Sequence, residues 1–360
     1  TKRGLGRPVQ AAATLSLNKL SGVTLYEPSE LVIGAKAGTP LAEIEARLRQ
    51  KGQRLPFDPP RLAALFGGDP HKASIGAVVA CNLSGPRRVH AGAARDSLIG
   101  VRFVNGMGET IKSGGRVMKN VTGLDLVKLM SGAFGTLGVL TEVTFKVLPA
   151  PETEATLVFE GLDDQTAITC LSAGLGSPWE VTAACHIPAA NGEPARTLLR
   201  LEGFESQMVY RGQALAEALG EYGPADILRG FESASRWAAI GELEPLGVTE
   251  SDAVWKLSTT PDKAPDIVET LRWATSARLF YDWGGGLIWL AVPAEGDAAA
   301  VAIRAALHSA GGHATLMRAP GEIRAAVDVF EPLPEPVMAV PYTHLRAHEA
   351  GRHLVGRLLL

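Results

Sequence analysis

Cysteine is scarce. Cys81, Cys170 and Cys185 are the only three in a chain of 360 residues, and they stand far apart. An odd, dispersed set argues for reduced thiols in a cytoplasmic protein, not for a disulfide frame. No Cys-x-x-Cys occurs, so the chain supplies neither an iron–sulfur cluster nor a structural zinc of that type. An excess of one charge is lacking too: the net charge is −3, and no global basic field calls for nucleic acid. No apolar run approaches the ~20 residues of a membrane span, and no signal-peptide pattern opens the chain. The commonest nucleotide motifs are missing. Gly4-Leu5-Gly6 lacks the third glycine of a dinucleotide fingerprint, because position 9 is Val. No Walker A sequence and no Gly-x-Ser-x-Gly elbow occur. Ordinary nicotinamide and P-loop readings are therefore weak.

What is present is organised around residues 74–147. Two glycine-rich segments lie there: Ser74-Ile75-Gly76 leading to Asn82-Leu83-Ser84-Gly85, and Gly132-Ala133-Phe134-Gly135-Thr136-Leu137-Gly138-Val139-Leu140-Thr141. Small residues beside apolar runs let a ligand approach the main chain closely. Ser74, Ile75 and Gly76 can offer backbone groups, and Asn82 and Ser84 add side-chain donors and acceptors. Free N–H groups at Gly135-Thr136-Leu137-Gly138 can bind phosphate or ribose oxygens. Each segment alone reads equally well as close packing or a tight turn. Between them, 98–105 and 109–112 predict a hairpin across Gly106-Met107-Gly108. Upstream, strands are expected at 14–17, 23–26 and 31–37. A helix follows, with Thr39 as N-cap, Pro40 at its first position, and Leu41, Ile44, Ala46 and Leu48 on one stripe. Pro149-Ala150-Pro151 marks a boundary, after which a repeated β-α-β-β-α-β order predicts an antiparallel sheet with helices on one face.

The two segments in this order, with the hairpin between, resemble the FAD-binding domain of the vanillyl-alcohol-oxidase (PCMH-type) flavoproteins over residues 1–148. Within that family the likeness is closest to the second flavin subunit of bacterial glycolate oxidase. It is carried by Leu83-Ser84-Gly85-Pro86-Arg87-Arg88, by the stretch from Val117 to Leu126, and by Leu137-Gly138-Val139-Leu140-Thr141-Glu142-Val143. The resemblance implies an α+β fold, in which a PCMH-type domain at 1–150 lacks its first βαβ unit. A ferredoxin-like α+β cap is expected at 151–330. Residues 331–360 read as a proline-rich linker and a non-native tail. FAD is the implied cofactor. Ser74, Ile75, Gly76, Asn82, Ser84, Gly85, Gly135, Thr136, Gly138, Val139 and Leu140 are the implied binding residues. The implied partners are a sister flavin subunit, an iron–sulfur subunit and a small 2-hydroxy acid, in the cytoplasm or at the inner face of its membrane. The alternatives are a stand-alone dehydrogenase of the D-lactate type and an assembly subunit without flavin.

The remaining candidates are single residues. Arg87, Arg88 and His90 read as one basic cluster for a carboxylate, a phosphate or a partner. Lys119 and Asn120 are placed near the flavin only by the resemblance. Cys81 reads as a packed thiol, and Trp283 and Trp289 as core of the second domain. Asp163, Asp164, Glu242 and Glu244 read as solvated charges, and His186 as isolated. His344, His348 and His353 have the spacing of zinc ligands, but they fall in the odd tail, and no metal is expected. No general base stands out, so the chain is expected to carry flavin without itself being the subunit that oxidises substrate.

Overall fold

The computed structural model describes residues 4–115 and 124–332. Residues 4–22 form neither strand nor helix, so the strand expected at 14–17 is absent. β1 (Val23–Glu27) and β2 (Val32–Lys36) pair antiparallel, and α1 (Leu41–Arg49) follows. α1 starts one residue later than expected, with Pro40 at the N-cap. Thr39 caps nothing: its hydroxyl donates to Lys36 O at 2.6 Å and accepts from the Gly22 N–H at 3.0 Å. Leu41, Ile44 and Leu48 are buried along one stripe, as an amphipathic period requires, whereas Ala46, two positions from Ile44, turns to the exposed side.

Next come α2 (Ile75–Ala80), the hairpin β3 (Leu98–Val104) with β4 (Thr110–Gly114), and β5 (Val139–Lys146). The five strands form one antiparallel sheet in the order β1-β2-β5-β3-β4. α2 is thin for a reason. A Cβ on Gly76 would stand 2.6 Å from Ala37 O, so only glycine lets this helix touch the chain leaving β2.

The second sheet has eight antiparallel strands built as two successive βαββαβ units. The first comprises β6 (Thr153–Glu160), α3 (Asp164–Leu175), β7 (Ala183–Ile187), β8 (Arg196–Gly203), α4 (Glu205–Ala218) and β9 (Ala225–Arg229). A further helix, α5 (Phe231–Gly241), leads into the second unit. That unit comprises β10 (Asp252–Thr259), α6 (Ala264–Ala274), β11 (Arg278–Asp282), β12 (Leu287–Pro293), α7 (Ala300–Ala310) and β13 (Gly312–Arg318). The strand order is β9-β6-β8-β7-β11-β12-β10-β13. Each half thus repeats the ferredoxin-like order, and the halves meet where His186 of β7 pairs with Tyr281 of β11.

Period-two alternation gives this sheet two different faces. Trp255, Leu257, Tyr281 and Leu199 point to the back, into a core shared with α3, α4, α6 and α7. Val254, Phe280, Leu198 and Ala291 point to the front, into a core continuous with Ile33, Val79, Val101 and Phe145 of the first sheet. Each of the larger aliphatic and phenyl side chains among them contributes roughly 1.5–3 kcal/mol by leaving water. The second sheet is therefore seated on the first domain by an apolar face, and that seat is where charged residues matter.

Candidate functional site

The two glycine-rich segments form one wall. Gly132 N–H donates to Val79 O at 3.0 Å and Phe134 N–H to Ala80 O at 2.8 Å. Asn82 takes a left-handed φ of 47° just past α2, and its Oδ1 accepts from Arg95 N–H at 3.0 Å and Ser131 Oγ at 3.4 Å. The second segment is thus stapled to the C-terminal end of α2. Not every residue then faces outward. The amides of Ile75 and Gly76 donate to Thr39 O and Ala37 O at 3.0 and 2.8 Å, so they are not the outward donors the sequence implied. Ser74 is buried in a bridge with Pro40. Gly138 is required by packing, because a Cβ there would lie 2.7 Å from Val104 O. Val139 pairs with Val104, and Leu140 is buried in the core. Gly135 (φ 76°) and Thr136, whose hydroxyl donates to Ala133 O, form the outer turn. The partly open lining is small: Ala77, Ala80, Gly132, Ala133 and Gly135.

The front of the second sheet packs against the first domain, and two contacts mark the seam. At one end Trp283 Nε1 donates to Gly85 O at 3.1 Å. At the other the rings of Phe134 and Phe330 lie 4.9 Å apart. Trp283 therefore does not fill the second domain's core as expected; it crosses to the first. Trp289 is buried in the core that both sheets share.

Charge is concentrated on this seat. Arg200 Nη2 lies 2.7 Å from Asp58 Oδ2, Arg54 Nη1 lies 2.5 Å from Glu202 Oε1, and Arg87 reaches both Glu202 and Asp58. Burial alone would raise the carboxyls of Asp58 and Glu202; Arg200 and Arg87 outweigh it and hold both below their ordinary values. Gly85 has no side chain because a Cβ would come within 2.5 Å of Asp58 O. The expected basic cluster is thus split. Arg87 is buried in ion pairs, and His90 is exposed. Arg88 donates to Ser84 Oγ at 3.1 Å while its guanidinium lies 4.7 Å from the Trp283 ring centre. Lys256 faces the same ring at 4.8 Å. Burial, with Arg88 nearby, brings Lys256 down to about 8. Burial pushes Asp282 up to about 7, although its Oδ1 accepts the Trp283 N–H.

Other expectations change. His186 is not isolated: Nδ1 meets Thr197 Oγ1 at 2.9 Å and Nε2 meets Asp164 Oδ1 at 3.3 Å. Asp164 also accepts from Tyr281 and pairs with Arg272, so it is not a solvated charge. With His186 fully enclosed, this network pins α3 to the back of the sheet. Glu242 accepts the Arg61 N–H at 2.7 Å. Cys81 is only partly buried. Lys119, Asn120, the 117–123 part of the implied motif, and His344, His348 and His353 lie outside the described residues. Among the described residues no group of three His, Cys, Asp or Glu could hold a metal ion. Lys256 and Asp282 were missed in sequence. The available signal was a charge at an alternating position of an apolar strand, and an acid directly before Trp283 and three glycines.

A family profile described as an FAD binding domain matches residues 2–114. The chain is 36% identical over 316 residues to glycolate oxidase subunit GlcE of Escherichia coli (strain K12), covering 88% of this chain and 79% of that protein. The chain belongs to the GlcE family of FAD-linked oxidoreductases. A D-lactate dehydrogenase of Anaerostipes hadrus is 34% identical over 152 residues, 42% of this chain and 30% of that protein. An alkyldihydroxyacetonephosphate synthase structure superposes with a TM-score of 0.60 at 16% identity, covering 86% of this chain and 63% of that chain, and shares the fold. FAD is the family's cofactor. The small, part-exposed residues of the joined glycine-rich segments would let a large planar ligand lie against main chain. Among the described residues no helix is long and apolar enough to cross a membrane.

Proposed function

We propose that this chain is the FAD-carrying subunit of a glycolate oxidase complex, taking electrons from the oxidation of glycolate to glyoxylate. The observation that carries this reading is the joining of the two glycine-rich segments through Val79 and Ala80 into one wall. We assign FAD binding to Ser74, Ile75, Gly76, Asn82, Ser84, Gly85, Gly135, Thr136, Gly138, Val139 and Leu140. Asn82, Gly135, Thr136 and Val139 are at least partly exposed and would meet the ligand, whereas the buried ones hold the wall in shape. Residues 1–150 form the flavin side and residues 151–330 the substrate side. Bound FAD supplies a two-electron acceptor. The chain's own residues bind, orient and shield. Similarity to a protein named as a subunit supports partner subunits. An iron–sulfur partner fits a chain without clustered cysteines. The location is cytoplasmic, with membrane contact made through the complex.

The test is flavin content. The 360-residue chain, purified alone and with its partner subunits, should carry flavin absorbance; a colourless, folded protein in both cases overturns the reading. Gly132→Val should reduce FAD retention at least about tenfold, equivalent to ~1.4 kcal/mol, because a Cβ there lies 3.1 Å from Arg95 Nη2 and 3.2 Å from Asn82 Cβ. Equilibrium dialysis with FAD measures it. The likeness to D-lactate dehydrogenase over 152 residues supports a second reading, a stand-alone 2-hydroxy-acid dehydrogenase. Anaerobic mixing of the lone chain with glycolate and D-lactate separates the two: bleaching without partners favours the second.

A further inference from the structure

The seat between the domains treats its cations unequally. Arg54, Arg87 and Arg200 are matched by Asp58 and Glu202 at ion-pair distance. Arg88 and Lys256 are not. Both stand within 5 Å of one indole, that of Trp283. Among the described residues no carboxylate reaches either at ion-pair distance; Asp96 and Asp282 act on them only from farther off. Trp283 is itself held rigidly, by Gly85 O on its ring nitrogen and by Asp282 on its amide. His313 stands opposite Ser258 in the β10–β13 ladder, on the face that carries Lys256. Its imidazole is lowered by burial and by Lys256 and Arg88, while Glu331 pulls the other way. Like charges brought together on a partly dry face oppose folding unless something compensates them. The aromatic ring offsets part of this. A small anion entering between them offsets the rest.

We propose that Arg88 and Lys256, facing the Trp283 ring, with His313 at the exposed edge of the same sheet face, form a subsite for the carboxylate of a small 2-hydroxy acid. This rests on the proposed function, and it places acid binding in this chain and not solely in a sister subunit. Arg88 links the subsite to the flavin side through Ser84, one of the residues assigned to FAD. A planar guanidinium suits a carboxylate bidentately, and the lysine adds a point charge. The phosphates of FAD are the other anion these cations can meet, and the two sources respond differently to substitution.

The probe is oxalate, an inert small dicarboxylate, titrated into the full chain with FAD present. Binding is read by calorimetry and by quenching of tryptophan fluorescence, and flavin content is measured in parallel. Lys256→Met and Arg88→Met should each weaken oxalate binding at least tenfold while flavin content stays as in the parent. Lys256→Arg should restore most of the affinity, and the surface change Lys51→Met should leave it unaltered. Trp283→Phe should remove the quenching but retain calorimetric binding. Unaltered oxalate affinity in Lys256→Met and Arg88→Met overturns the subsite, as does no oxalate binding by the flavin-loaded parent. Loss of flavin in both variants without loss of oxalate binding assigns the cations to the cofactor and also overturns it. A flavin-free chain that binds oxalate in a Lys256-dependent way keeps the subsite and removes the flavin reading.

Discussion

Lys256 and Asp282 are two residues that folding alone would not choose for this face. Burial drives each toward its neutral form, and the signs can be worked out. A lysine brought from 10.5 to about 8 makes the charged fold about 3 kcal/mol less stable at neutral pH. That penalty is full below pH ~8 and fades as pH rises toward the unfolded value. Lys256→Met should therefore raise Tm by several degrees at pH 7, with a smaller gain at pH 10, in thermal melts. Asp282 behaves oppositely. Its folded value, about 7, lies above its unfolded value, 3.8, so stability is fully present below the unfolded value and is lost as pH rises toward 7. Asp282→Asn keeps an oxygen for the Trp283 N–H. It should leave the unfolding free energy from denaturant melts near pH 4 little changed and raise it by about 2 kcal/mol or more above pH 7.

At the scale of elements, the loop at Asp58 and the strand β8 are fastened by the Asp58–Arg87–Glu202–Arg200 network. Here the carboxyls are depressed, so the stabilisation is present above their unfolded values and is lost as pH falls through the folded ones. Glu202→Gln should cost about 3–5 kcal/mol at pH 7, because it leaves Arg54 and Arg87 without their buried partner. The difference from the parent should shrink as pH falls below ~4. Urea midpoints measured from pH 3 to pH 7 give both numbers. Exposed pairs such as Arg7–Asp328 should contribute almost nothing by the same measurement.

Across the whole molecule, one apolar core runs through both sheets, from Ile33 and Phe145 to Phe280 and Ala291. Side chains that share a core unfold together, so calorimetry should show a single main transition over both domains. Trp283→Leu removes the ring–Gly85 hydrogen bond and the platform between Arg88 and Lys256. It should split or broaden that transition. Two separate transitions in the parent would overturn the idea that the seat couples the domains.

Much of this protein was legible in the order of its residues. Periodicity predicts α1, the β3–β4 hairpin and the repeated βαββαβ units, because a 3.6- or 2-residue period is a local property. The glycine-rich segments are visible in sequence, but the need for glycine at Gly138 and Gly85 is tertiary, since a Cβ would meet the distant backbone oxygens of Val104 and Asp58. Thr39 was misread because its hydroxyl chose Lys36 O over a helix start, a choice made by the chain around Gly22. Trp283 was misread for a broader reason. A ring beside three glycines can fill its own domain or cross to another, and nothing within ten residues decides which. The charges follow the same rule. Sequence shows that Arg87 and Arg88 are neighbours, but only the packing of two sheets buries one in ion pairs and leaves the other facing Lys256, because partners 115 and 168 positions away arrive through long-range contacts.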